Sequence, residues 1–171
     1  NTNRVHALNE IGQVKFSNLC TEIMQVSQVS DIEIYGKQDT IRYGISCNLG
    51  SLNIATVMDN KRIKETVKTA MRALTVGTDV TNIDMVPSIA KANRELHSVG
   101  LGAMNLHGYL AKSFIMYESN EALDFANTFF MMMNYYSLEA SMEIAKERGK
   151  TFVGFEKSAY ADGTYFNNYI N

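Results

Sequence analysis

The stretch from about residue 120 to 148 constrains the fold more than any other part of the chain. Ala122, Phe125, Phe129, Met132, Met133, Tyr136 and Ala140 recur at three- and four-residue spacing, which gathers them on one face of a helix. Ser119 stands where an N-cap belongs, and Glu121 and Asp124 suit the positive end of the helix dipole. Lys146, Arg148 and Gly149 suit the C-terminal end. A second stripe of Ile63, Val67, Ala70, Met71, Leu74 and Thr78 predicts a helix over roughly 61–80, capped by Asn60. Pro87, the only proline, is expected to begin a helix over about 87–96. Gly100-Leu101-Gly102 is expected to open a short helix over about 103–112, and residues 154–161 to hold a further turn or two.

The N-terminal part reads differently. Residues 1–13 are polar and irregular, and residues 14–23 read as extended, with β-tolerant Val14, Phe16 and Ile23. Residues 24–41 look like a loop, 42–47 like a returning short strand, and Asn48, Gly50 and Asn53 like breakers of regular structure. In an extended 14–23, Asn18, Cys20 and Glu22 project from one face and Ser17, Leu19 and Thr21 from the other. An amide, a thiol and a carboxylate side by side can clamp, react and move a proton. The plainer alternative is a buried cysteine, behaving as a small hydrophobe, between two solvated polar residues. Cys47, on the next expected strand, makes thiol redox chemistry a third possibility.

Composition narrows the function classes. The chain has 171 residues, 46% hydrophobic and 20% charged, which fits a folded domain with a real core. Its formal charge of −2 offers no basic field for nucleic acid. No apolar run is long enough to span a bilayer, and no signal peptide opens the chain. Two cysteines do not make a secreted disulfide scaffold, so a reducing, cytoplasmic setting is expected. Asn1 at the start, Met24 as the first methionine and Tyr169-Ile170-Asn171 at the end suggest a segment of a larger polypeptide. Apolar surface left exposed for missing neighbours is then expected.

The other candidate sites are weaker. His6, His97 and His107 show no ligand spacing and there is no Cys-x-x-Cys, so no metal site is expected. A cysteine hydrolase needs a histidine beside Cys20, and His107 serves only if the fold brings it there. Gly100-Leu101-Gly102 lacks the third glycine of a dinucleotide fingerprint and reads as close packing at a turn. Met131-Met132-Met133 with Phe129, Phe130, Tyr135 and Tyr136 reads as core or a buried contact, not a cofactor site.

Asn18-Leu19-Cys20-Thr21-Glu22 resembles the catalytic Asn-x-Cys-x-Glu motif of ribonucleotide reductase large subunits. Ile45-Ser46-Cys47-Asn48-Leu49-Gly50-Ser51-Leu52-Asn53-Ile54-Ala55 resembles the segment carrying that family's second redox cysteine. Val86-Pro87-Ser88-Ile89-Ala90, the run from Val99 to Ala111, and Ala145-Lys146-Glu147-Arg148-Gly149-Lys150 are similar to the aerobic class Ib subfamily. The resemblance covers nearly the whole chain from about residue 13. Leu19 also departs from the proline typical of the cobalamin-dependent class.

The resemblance implies an α/β fold, part of a ten-stranded α/β barrel whose radical cysteine rides a central finger loop. Residues 1–171 are then a mostly helical part of the barrel domain and not a complete domain. On a finger loop the strand-face picture of residues 18–22 gives way to a loop that still gathers Asn18, Cys20 and Glu22 at one substrate. The implied reaction is reduction of a ribonucleoside diphosphate to its deoxy form, for DNA precursors. Cys20 carries the thiyl radical, Glu22 is the base, Asn18 clamps the sugar hydroxyls, and Cys47 forms a redox disulfide with an upstream cysteine outside this chain. Asn18 and Glu22 are thus also the substrate-binding residues. No cofactor or metal is implied on this segment. The whole enzyme needs a small subunit with a metal-tyrosyl radical, a thioredoxin- or glutaredoxin-like reductant, and a large-subunit homodimer. The upstream cysteine, specificity site, phosphate loop, C-terminal tyrosine pair and shuttle cysteines are absent here, so the chain alone is expected to be inactive. The residues also leave open a cysteine-dependent hydrolase or thiol-redox domain, and a non-catalytic helical interaction module.

Overall fold

The computed structural model describes residues 14–32, 35–46 and 48–169; the readings on residues 1–13, His6, Cys47, Ile170 and Asn171 lie outside them. The regular elements are β1 (Asn48–Asn53), α1 (Ile54–Asn60), α2 (Ile63–Val80), α3 (Pro87–Glu95), β2 (Val99–Met104), α4 (Leu106–Lys112) and α5 (Asn120–Arg148). Short 3₁₀ turns follow at Phe155–Lys157 and Thr164–Tyr169. β1 and β2 pair in a two-stranded parallel sheet, so α1 to α3 form the crossover that a parallel pair requires. The chain divides into two compact units. One comprises residues 1–48, 78–100 and 151–171, the other 49–77 and 101–150.

The second unit contains the larger apolar core. Ile54, Val57, Val67, Phe129 and Met133 are buried together, with Leu52, Leu101, Tyr109, Phe125 and Tyr136 packed around them. Both helical stripes face inward as their spacing requires, and Phe129 and Ala140 are sealed from solvent. Ser119 accepts from the amide of Ala122, and Gly149 takes the left-handed conformation (φ +63°) that ends α5. Phe130, Met131 and Tyr135 lie on the outer side of α5, exposed, so the aromatic–methionine run is only half core.

Polar residues join α2 to α5 along their length. Lys68 Nζ donates to Glu143 at 2.5 Å and to Glu139 at 3.3 Å, and Arg72 grips Glu147 through two nitrogens at 2.7 and 2.8 Å. The hydrogen bond from Lys68 is the chief reason that the Glu143 carboxyl lies below its ordinary value, and Arg72 does the same for Glu147.

Four expected elements differ. Residues 14–23 are not a strand, because Thr21 adopts φ +66° and the chain turns at Leu19-Cys20. The strand expected at 42–47 is instead β1, with residues 42–46 irregular. Asn48, Gly50 and Asn53 belong to it: Leu74 packs against the open face of Gly50, and Asn53 ends the strand by capping α1 through Thr56 N. Asn60 closes α1 rather than opening α2, since Lys61 takes the left-handed C-cap. Gly100 to Ala103 lie within β2, and the helix after it starts only at Leu106.

Two outcomes follow. Ser119→Ala removes one cap bond, which typically costs about 1 kcal/mol, so amide exchange in the first turn of α5 should rise about fivefold while Ser119→Asp restores it. The depressed Glu143 and Glu147 carboxyls contribute stability above their ordinary 4.5 that is lost as pH falls through their lower folded values. Exchange along α2 and α5, corrected for intrinsic rate, should therefore increase in acid. A Lys68→Met/Arg72→Met protein should show a flatter acid response; equal sensitivity in both would contradict the pairing.

Candidate functional site

Residues 14–30 lie outside helix and strand, so their backbone groups lack the partners that a helix or a ladder provides. Side chains supply them instead. Ser27, fully buried, accepts from the amides of Lys15 (3.0 Å) and Phe16 (3.2 Å) and donates to the carbonyl of Phe16 (3.0 Å). This one hydroxyl closes the base of a loop running from residue 16 to 27.

At the tip the turn closes on itself. Thr21 N donates to Asn18 O at 3.1 Å, and Ile23 N donates to Asn18 Oδ1 at 2.8 Å. Asn18 thus bridges both sides of Cys20. Its side-chain carbonyl holds the turn. A β-branched residue at φ +66° is strained, which typically costs about 1–2 kcal/mol, and these two bonds hold Thr21 there. Cys20 is a free, exposed thiol, Leu19 projects fully into solvent at 99% exposure, and Glu22 is exposed.

Beyond the tip the loop is anchored. Ile23 and Val26 are buried, and Val26 packs with Ala92, Leu96 and Tyr43. Gln25 is buried and its Nε2 donates to Gly44 O at 3.0 Å. Gln28 N donates to Tyr43 O at 2.9 Å, and Gly44 N to Ser88 O at 3.0 Å. Residues 43 and 44 therefore lie between the returning leg of the loop and α3. A Cβ on Gly44 would stand 3.0 Å from Ser88 Oγ and 3.2 Å from Ile89 N, so any larger residue would require the start of α3 to give by a few tenths of an ångström. Tyr43 donates to Glu95 at 2.5 Å, and burial first, then this bond and the Glu95 charge, push the phenol up to about 12.

Asn18, Cys20 and Glu22 thus share one tight turn rather than one strand face. Cys47 lies outside the described residues, and its neighbours Ser46 and Asn48 are both held. Both histidines among the described residues have other partners. His97 Nε2 meets Asp79 at 3.2 Å, and the His107 ring rests edge-on against Tyr117, in the other unit from Cys20. Among the described residues no group of three or more potential ligands can hold a metal, and no helix is long and apolar enough to cross a membrane. The sequence singled out neither Ser27 nor Gln25. Their partners lie 11 to 19 residues away, and nothing local separates them from solvated loop residues.

Ser27→Ala strands two amide donors at the loop base. The local cost is about 1–3 kcal/mol, and exchange at Lys15 and Phe16 should rise by about tenfold or more. Unchanged exchange there would show that Ser27 does not close the loop.

Comparison with known proteins adds the following. The family model described as "Ribonucleotide reductase, barrel domain" matches residues 1–171. The ribonucleoside-diphosphate reductase subunit alpha of Bacillus subtilis (strain 168) is 56% identical over 171 residues, covering all of this chain and 24% of that protein. The subunit alpha of Mycoplasma pneumoniae is 46% identical over 159 residues, 92% of this chain and 22% of that protein. The chain thus spans about a quarter of the length of these relatives. Among solved structures, an Actinobacillus ureae class Id ribonucleotide reductase alpha subunit superposes with a TM-score of 0.64 over 99% of this chain and 29% of its own. At 21% identity that likeness speaks to fold alone.

Proposed function

The chain belongs to the ribonucleotide reductase barrel-domain family, and from that premise we propose that it is the catalytic segment of a class Ib large subunit. Residues 1–171 form part of its barrel domain and not a complete domain. The activity is reduction of ribonucleoside diphosphates to deoxyribonucleoside diphosphates in the cytoplasm. The observation that carries this reading is the turn at Asn18 to Ile23: a free, exposed Cys20 bracketed by two bonds to Asn18, on a loop stapled by Ser27.

The chemistry follows from the residue types. The ribose C3′–H is not acidic enough for a side-chain base, so a sulfur-centred radical on Cys20 must remove it as a hydrogen atom. Glu22 accepts the proton of the 3′ hydroxyl, work that a positioned carboxylate does well. Asn18, whose Oδ1 is committed to Ile23 N, offers its amide nitrogen to the sugar oxygens. The 2′ hydroxyl leaves as water. Cys47 and a cysteine outside this chain supply two electrons and two protons and end as a disulfide. Cys20 then returns its hydrogen to C3′. The balance is ribonucleotide plus two thiols giving deoxyribonucleotide, disulfide and water. A small subunit bearing a metal-tyrosyl radical supplies the radical, a thioredoxin- or glutaredoxin-like protein reopens the disulfide, and the large subunit is a homodimer.

The isolated segment lacks the second reducing cysteine and is inactive alone. The hydrolase alternative draws no support from His97 or His107. The exposed Phe130, Met131 and Tyr135 fit a face covered by the rest of a longer polypeptide.

In the full-length enzyme with its radical-supplying subunit, Cys20→Ser should abolish deoxynucleotide formation and leave the substrate Kd within about twofold. Glu22→Gln should lower kcat by about 10²-fold or more, the usual worth of a general base. Wild-type turnover by Cys20→Ser would refute the assignment.

A further inference from the structure

Four residues of the first unit form a largely buried polar chain that the mechanism above does not use. Asn93, on α3, is 5% exposed. Its Oδ1 accepts from Ser46 Oγ at 2.7 Å, and its Nδ2 donates to the backbone carbonyl of Thr78 at 2.9 Å. Thr78 Oγ1 in turn accepts from Asn48 Nδ2 at 3.0 Å. Ser46 and Thr78 are likewise buried, at 4% and 1% exposure.

The arrangement has a physical logic. Thr78 lies in the last turn of α2, where helix carbonyls have no partner within the helix. The Asn93 amide satisfies one of them, and this fixes which way its oxygen faces. That oxygen is then aimed at Ser46. The hydroxyl of Thr78 takes the amide of Asn48. The residue before Cys47 and the residue after it are therefore both tied, through Asn93 and Thr78, to the end of one helix. A largely buried network of this kind favours a single geometry, because a rearrangement that breaks one of its bonds costs a desolvated polar atom its partner.

We propose that Asn93 is a positioning residue for the reduction step at the ribose C2′: the chain Ser46–Asn93–Thr78–Asn48 holds the residues that precede and follow the reducing cysteine in sequence, and the reduction depends on that hold. This rests on the function proposed above. Asn93 touches neither substrate nor sulfur. Losing it should therefore impair the reduction step and spare hydrogen abstraction, which depends on the separate turn at Cys20.

The test uses the full-length enzyme with its small subunit and a ribonucleoside diphosphate tritiated at C3′. Two quantities are read together: tritium that exchanges into water from the Cys20 thiol before the hydrogen is returned to C3′, which reports hydrogen abstraction, and deoxynucleotide formed in one turnover by pre-reduced enzyme. Cys20→Ser is the control for the function itself. If wild-type enzyme shows no exchange that depends on Cys20, the functional reading fails. If it does, Asn93→Ala should lose about 10- to 100-fold in deoxynucleotide, the scale of a misplaced reacting group, with KM and exchange within about twofold of wild type. Equal loss of both quantities, or loss of neither, overturns the positioning role. Should Asn93→Ala fail to fold, Ser46→Ala and Asn48→Ala each remove one outer bond. The same split in either supports the proposal, and wild-type behaviour in both overturns it.

Discussion

Backbone polar groups that lie outside helices and ladders must still be paired when buried, and that requirement governs the first unit of this chain. Its N-terminal third carries the candidate chemistry on irregular structure. Ser27, Gln25, Asn18 and Asn93 meet the requirement with side-chain hydroxyls and amides. Each has a geometry that a solvated loop lacks. The loop through Cys20 is consequently a closed object, stapled at its base and pinned at its tip, although it has no regular secondary structure.

The second unit solves a different problem. There, Ile54, Val57, Val67, Phe129 and Met133 form an apolar core around a short sheet, and the charge rows of α2 and α5 lie beside it. Exposed ion pairs of this kind contribute little individually, and the buried side chains carry most of the stability. Orientation of the helices is the larger consequence: Lys68 and Arg72 reach three acids spaced four residues apart on α5, which fixes the register of one helix against the other.

What the sequence made legible divides along the same line. α5 and α3 could be placed almost to the residue, because their signals are local: Ser119, Gly149 and Pro87 act within one turn of where they stand. β1 could not, because Asn48, Gly50 and Asn53 read as breakers. Their roles come from distant partners, Thr78 for Asn48 and Leu74 for Gly50. The motif at residues 18–22 was visible by composition and by resemblance, yet its shape was not. Alternating residue types mimic a strand, and only the left-handed Thr21 turns the chain. The supporting roles of Ser27, Gln25 and Asn93 left no mark, since each is defined by a partner more than ten residues away.

In the function proposed here, this turn presents Asn18, Cys20 and Glu22 to one ribose. A crystal structure of the full-length protein with a ribonucleoside diphosphate tests it most directly. The expected structure has the Cys20 sulfur about 3–3.5 Å from C3′, the Asn18 amide nitrogen and the Glu22 carboxylate at the sugar hydroxyls, and the Asn18 oxygen still on Ile23 N. A ribose bound away from Cys20, or a turn that opens so that Asn18 releases Ile23, would contradict it.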